Sequence, residues 1–312
     1  MGEREKKQRY TKFTATLCIS LILLLVMLVL SILYGDAHIR LSTIYDAIFH
    51  YNASNEQHNI ISEIRIPRDL GAILVGMALA VAGAVVQGVT KNGLADPSLI
   101  GLNAGASFML ALTYAFMPQA AFGILMLAGF IGAIMGGTIV LMMGRSRTDG
   151  FNPIRIILAG AAVSAFLTAL SQGIALAFKL NQDLNFWSMG GVSGTTWSQL
   201  KWSAPVILIT IVLIVLLSRQ LTILNLGESL AKGLGQNVGF IRALSLVLTM
   251  LLAGIAVAMV GQIAFVGLIV PHIVRFLIGT DYAKVIPVTA ILGALLVPVS
   301  YTHLRAHETG RH

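Results

Sequence analysis

The chain has 312 residues, a formal net charge of +8, 56% hydrophobic and 11% charged residues, and a mean hydropathy of +0.84. A soluble domain carries about a quarter charged residues, so this composition excludes a water-soluble globule. The basic residues flank long apolar runs, as membrane orientation would place them, which removes the nucleic-acid reading of the positive charge.

In chain order the apolar runs predict spans over residues 13–34, 69–89, 98–116, 120–143, 154–178, 200–218, 240–260, 263–279 and 283–297. A crossing needs roughly 20 mostly apolar residues whose backbone groups are satisfied within the helix. A β-barrel would show short alternating segments instead. The first run follows a basic start, MGEREKKQRYTK, yet it is long for a signal peptide and no A-x-A site follows, so a retained helix is expected. Cys18 lies inside it and is the single cysteine, which leaves no disulfide within the chain.

From 35 to 66 the chain is moderately polar. LSTIYDAIFHY predicts a short amphipathic helix with Ile44, Ile48 and Tyr51 on one face, and His38, His50 and His58 lack the spacing of a zinc site. The stretch GVTKNGLADPSLIGLNAGAS at 88–107 is too polar for a plain span and too short for a domain. Asp96 and Pro97 would end one helix and open another, with Asp96 and Ser98 as candidate N-caps. Gly93, Gly101 and Gly105 permit a tight reversal and close helix contact.

Small residues recur at a spacing of four: Gly76, Ala80, Ala84 and Gly88; Gly129, Ala133 and Gly137; Ala161, Ala165, Ala169 and Gly173. Each row puts small side chains on one face and predicts close helix packing. With the N-terminus placed inside, most Lys and Arg fall on the inner side, against Arg40, Arg65, Arg68, Lys179 and Lys201 outside, so an N-in topology is predicted. No Asp or Glu lies in the middle of a predicted span, which argues against a carrier driven by protons or sodium. No ring motif marks a channel, and no clustered nucleophile, metal-ligand set or carboxylate pair marks an enzyme.

Four stretches in order carry a resemblance: RIPR at 65–68, GMALAVAGAVVQGVTKNGLADPSLIGLNAGA at 76–106, LNLGESLAKGLG at 224–235 and GQIAFVGLIVPHIVRFLIGTD at 261–281. Together they resemble the FecCD-type permeases, the membrane subunits of ABC importers for iron–siderophore complexes, haem and cobalamin. The resemblance implies an all-α bundle of the type II importer kind, with about ten helices in the family and about nine here. It also implies a permease dimer around a central pathway, two cytoplasmic ATPase subunits, and an extracytoplasmic binding protein that delivers the cargo. This subunit would bind no cofactor. ATP and its Mg²⁺ would sit on the ATPase, and the chain indeed has no G-x-x-x-x-G-K-[ST] loop.

The family's roles can be carried onto matching residues. Arg65 and Arg68 would dock the binding protein, with Pro67 stiffening the approach. Gly227, Glu228, Ala231, Gly233 and Gly235 match the coupling helix that receives ATPase motion. Gln87, Asn103 and Trp187 are candidates for the pathway or its gate. In VPHIVR, Pro271 should kink its helix and His272 is read as a structural residue capping backbone groups.

The end departs from the family. After Val297 the chain reads PVSYTHLRAHETGRH, polar and without a further apolar run. Residues 298–309 back-translate in one frame into a transposon-type sequencing adaptor. The permease domain is therefore expected over 1–297, and 298–312 is expected to be a non-native tail replacing a tenth helix. The functional expectation is an iron(III)–siderophore permease in a bacterial cytoplasmic membrane. The alternatives are a haem or cobalamin permease or, in another class, a stand-alone transporter or channel.

Overall fold

A computed structural model of the chain describes residues 3–33, 41–146, 150–189 and 191–308. Helices dominate it: α1 (Glu3–Leu33), α2 (Leu41–Phe49), α3 (Glu56–Asn59), α4 (Ile66–Thr90), α5 (Leu102–Phe116), α6 (Phe122–Gly144), α7 (Pro153–Phe178), α8 (Asn181–Met189), α9 (Trp197–Leu226), α10 (Glu228–Gly233), α11 (Val238–Val260), α12 (Val266–Ile278) and α13 (Tyr282–Glu308). A two-residue antiparallel ribbon, Arg145–Ser146 against Gly150–Phe151, closes the turn between α6 and α7. Residues His38, Arg40, Arg147 and 309–312 fall outside the described residues.

Among the described residues, seven helices are long and apolar enough to cross a membrane. Two predicted spans are shorter than a crossing needs. α5 has 15 residues and α12 has 13, about 22 and 20 Å at the helical rise, against a hydrocarbon core of about 30 Å. A 3₁₀ turn, Pro97–Ile100, precedes α5, and irregular backbone at 261–265 precedes α12. Backbone of that kind is tolerated at membrane depth only when protein or a wet cavity surrounds it.

α4 is the axis of the bundle. α3, a π-helical turn (Ile60–Arg65) and α4 run on as one helical segment, Glu56–Thr90, and α9, α11, α12 and α13 pack around it. It can be central because it is lined with alanine, valine and glycine. A Cβ added at Gly83 would strike the carbonyl of Gly267 on α12, and one at Gly76 the carbonyl of Gly293 on α13. The same device joins α5 and α6, where Gly105 and Gly132 meet.

The small-residue rows divide. Gly76 and Ala80 face Gly293 of α13, and Ala133 and Gly137 face Gly254 and Met250 of α11, as close packing requires. The third row does not pack within the chain: Ala161, Ala165, Ala169 and Gly173 lie exposed along α7. Spacing alone identifies a smooth helix face, not what covers it.

The amphipathic α2 is also adjusted. Ile44 packs near the buried pair Ala47 and Ile61, but Ile48 and Tyr51 are exposed. Asp96 caps the 3₁₀ turn by accepting from the Ser98 N–H at 2.8 Å. Pro271 sits inside α12, which continues past it, and His272 is exposed rather than capping backbone.

Candidate functional site

Three places bear on function. The first is a cavity of about 450 Å³ between α5, α7, α8 and the approaches to α5 and α12. α5 supplies Asn103, Ala104 and Ser107; α7 supplies Ser164, Thr168, Ser171, Gln172 and Ala175; Asn181, Leu184 and Asn185 come from α8. Ser98 and Gln262 complete the lining from the two irregular segments. The hydroxyls and amides recur at helical spacing on α7, so one polar stripe faces inward from an otherwise apolar helix. Among the described residues no ionised side chain is in the lining. Such a wall offers many weak donors and acceptors and no deep electrostatic well, which suits passage rather than retention.

Of the residues the sequence nominated for the pathway, Asn103 lines this cavity. Gln87 does not belong to it. It is 3% exposed and its Nε2 donates to the carbonyls of Ala95 and Gly267, both at 3.1 Å. It therefore ties α4 to the loop before α5 and to the first turn of α12. Trp187 on α8 is half-buried against the hydrophobic core. The polar α7 stripe was missed by sequence reading because the small-residue row on the same helix was read as packing. The Ser164–Thr168–Ser171–Gln172 spacing is the signal that could have found it.

The second place is α10, set between α9 and α11. Gly227 (φ +153°) breaks α9 and Gly235 (φ +78°) turns the chain out of α10, backbone angles that glycine adopts without steric cost. Ala231 is 0% exposed in a small core with Leu224, Val238 and Ile241. Glu228 meets Lys232 at 2.9 Å and Arg242 of α11 at 3.2 Å. The hydrogen bond from Lys232, then the nearby Arg242, hold the Glu228 carboxyl below its ordinary range despite partial burial. Gln236 Nε2 donates to the Gln220 carbonyl at 3.1 Å, and Asn237 caps α11 by accepting from Phe240. The helix is thus pinned on both sides while Leu226, Leu230 and Leu234 stay exposed. The sequence motif identified Gly227, Glu228, Ala231, Gly233 and Gly235, which shape α10, but not the leucines that form its outer face.

The third place corrects an expectation. Arg65 and Arg68 do not form an exposed rim, being 4% and 9% exposed. Arg68 Nη2 lies 3.3 Å from Asp69 Oδ1, and Ser31 Oγ of α1 donates to the same oxygen at 2.9 Å. The helical segment begins at Glu56, well before the predicted span, which carries RIPR into the bundle. Buried ions persist when they are paired, and Asp69, next to the motif, was the overlooked partner. Arg68 thus supports the carboxylate through which α4 meets Ser31 of α1, and both arginines lie buried where the docking role expects an exposed rim.

This arrangement has relatives. The chain is 42% identical to the iron(3+)-hydroxamate import system permease protein FhuB of Bacillus subtilis (strain 168) over 268 residues, covering 86% of this chain and 70% of that protein. It is 36% identical to the ferric enterobactin transport system permease protein FepD of Escherichia coli (strain K12), covering 89% of this chain and 86% of that one. With the hemin transport system permease protein HmuU of Yersinia pestis it shares 36% identity, covering 91% and 86%. Among solved structures, a metal-chelate type ABC transporter in an inward-facing conformation superposes with a TM-score of 0.82 at 26% identity, covering 93% of this chain and 90% of that one. With the helical bundle, the polar cavity and α10 in place, and with the FecCD transport family model matching residues 23–308, the chain belongs to that family of multi-pass membrane transport proteins.

Proposed function

We propose that the chain is the membrane-spanning permease subunit of an ATP-driven importer that carries iron(III)–siderophore complexes. The observation that carries this reading is the uncharged polar cavity between α5, α7 and α8. A cargo whose metal is already wrapped by its chelator needs a wall without competing metal ligands, and the polar groups of this lining are hydroxyls and amides, set among Ala104, Ala175 and Leu184. The relatives named for iron(3+)-hydroxamate and ferric enterobactin import support the cargo class.

In this reading two permease subunits enclose the pathway, α7 lies along it, and α10 receives the motion of two ATPase subunits. ATP and Mg²⁺ belong to those partners, and a separate binding protein delivers the cargo. The N-terminus lies on the cytoplasmic side, where the basic residues gather. The permease region covers at least residues up to 297, and both the family match and α13 run on to 308.

The test is uptake of radiolabelled iron in a strain lacking the gene and complemented with it. Ferric hydroxamates, ferric catecholates and hemin are supplied in turn. Restored uptake of a ferric siderophore is expected. Restoration of hemin alone would sink the siderophore assignment while leaving the importer class intact.

A further inference from the structure

A second, larger cavity lies away from the polar one. It measures about 730 Å³ and opens between the first turns of α6, the start of α9 and the end of α11. Its walls are apolar: Phe122, Met126 and Phe130 from α6, Trp202 and Val206 from α9, and Ile255 from α11. Phe122 and Trp202 are exposed at its mouth, while Met126 and Ile255 are buried at its back.

The cavity has a direction. Its polar members, Thr196, Ser198 and Gln199, all sit at the start of α9. From there the apolar walls run down α6 from Phe122 to Phe130, about 12 Å at the helical rise. Lys201 lies three residues on from Ser198, a neighbouring position on the helix surface. It is exposed, and no ion pair among the described residues uses it. The groove therefore grades from a hydroxyl-bearing mouth at the helix ends, with Lys201 outside the lining on the flank of the same helix turn, to a hydrocarbon-lined depth.

We propose that this groove binds one anionic phospholipid. An acyl chain lies along Phe130, Val206 and Ile255, and the phosphate rests by Lys201, Ser198 and Thr196. Hydrocarbon alone would explain the depth, but Lys201, beside the polar mouth and in no ion pair among the described residues, complements a phosphate, as basic groups at a membrane surface do. Lysine stems reach from a helix flank to the headgroup level, and tryptophans such as Trp197 and Trp202 settle at that level.

Gly123 lines the groove and a Cβ added there meets nothing within 4 Å, so it is the position from which to fill it. The experiment uses the whole transporter in nanodiscs of equal phosphatidylglycerol and phosphatidylethanolamine, with retained lipid counted by native mass spectrometry. Wild type should keep one phosphatidylglycerol per permease chain, and Gly123→Trp should lose it. Lys201→Gln should keep a lipid but lose an approximately fivefold preference for phosphatidylglycerol. Gly123→Leu replaces Gly123→Trp if the larger side chain prevents assembly. Undiminished retention in the filled variant overturns the proposal. So does an unchanged headgroup preference in Lys201→Gln, or efficient cross-linking of Trp202→Cys to a partner subunit in native membranes.

Discussion

Gly83 of α4 and Gly267 of α12 meet backbone to backbone, with no room for a single methyl group between them. Gln87, one turn further along α4, reaches across the same seam to donate to the Gly267 carbonyl. Helices in a membrane gain little from hydrophobic burial against each other, so such close approach is a main source of their association.

Gly83→Ala should therefore lower the thermal stability of the purified transporter by about 1–3 kcal/mol, the usual cost of overpacking, and Gly83→Leu should prevent assembly. Gly173→Ala, at an open position, is the control and should behave as wild type. Fluorescence-detected size exclusion after heating measures both. Wild-type stability of Gly83→Leu would contradict the packing seen here.

At α10, Leu230→Asp and Leu234→Asp change exposed side chains, so expression and folding should be preserved. Uptake should fall at least about tenfold if these leucines contribute the ~1.4 kcal/mol or more expected of a central contact. Glu228→Arg would place a third cation beside Lys232 and Arg242 and should loosen α10 and uncouple ATP hydrolysis from uptake, as Gly233→Pro should. ATPase activity with and without loaded binding protein, read beside uptake, separates coupling from assembly. Normal uptake by these variants would remove α10 from the mechanism.

The Glu228 clamp also sets a pH dependence. Its carboxyl titrates below the usual range because Lys232 donates to it. A depressed carboxyl stabilises the fold fully above its unfolded value, and the contribution is lost as pH falls through the folded one. Hydrogen-exchange protection of residues 228–242 should stay level down to the ordinary carboxylate range and drop only below it. Glu228→Gln should flatten that step; a step of unchanged size would assign it to another group.

Bulk placed in the polar cavity tests the pathway. Thr168→Trp and Ser107→Phe add bulk to its lining from α7 and α5, where the cavity leaves space for it. Uptake should fall by at least about tenfold, equivalent to ~1.4 kcal/mol, while subunit assembly is kept. Full uptake by both would place the route elsewhere.

Asp69→Ala removes the carboxylate that meets Arg68 and Ser31. An uncompensated buried charge costs about 3–5 kcal/mol, so the variant should be poorly expressed or strongly heat-labile. Arg68→Glu should fail in the same way, before any docking step is reached. A stable Arg68→Glu protein defective only in binding-protein association, measured by surface-bound kinetics, would restore the docking role.

Much of the architecture was legible because it rests on local pattern. Apolar runs marked the helices, and the LNLGESLAKGLG motif marked α10 through glycines whose positive φ the structure shows at Gly227 and Gly235. What pattern could not convey was depth. Arg65 and Arg68 stand at a predicted helix edge but inside a continuous helix that begins at Glu56, and a residue's distance from the end decides whether its charge meets water or a carboxylate. Gln87 makes the same point: polarity within an apolar run is visible, but not the carbonyls of Ala95 and Gly267 that its amide nitrogen reaches. The third alanine row shows the converse, since small residues on α7 look alike whether they face a helix or an opening.

Glycine seams have no rotamers to exchange. A side-chain interface can repack in steps, but two backbones in contact either stay together or part. α4 is locked in this way to α12 and α13, and α5 to α6. Each set is then a rigid piece, and the segment joining them, Asn92–Gly101, is itself held, at Ala95 by Gln87 and at Gly101 by the close approach of Gly136. A change of shape during a transport cycle is then left to the side-chain-packed borders between the pieces, as in a linkage whose bars are stiff and whose pivots are few.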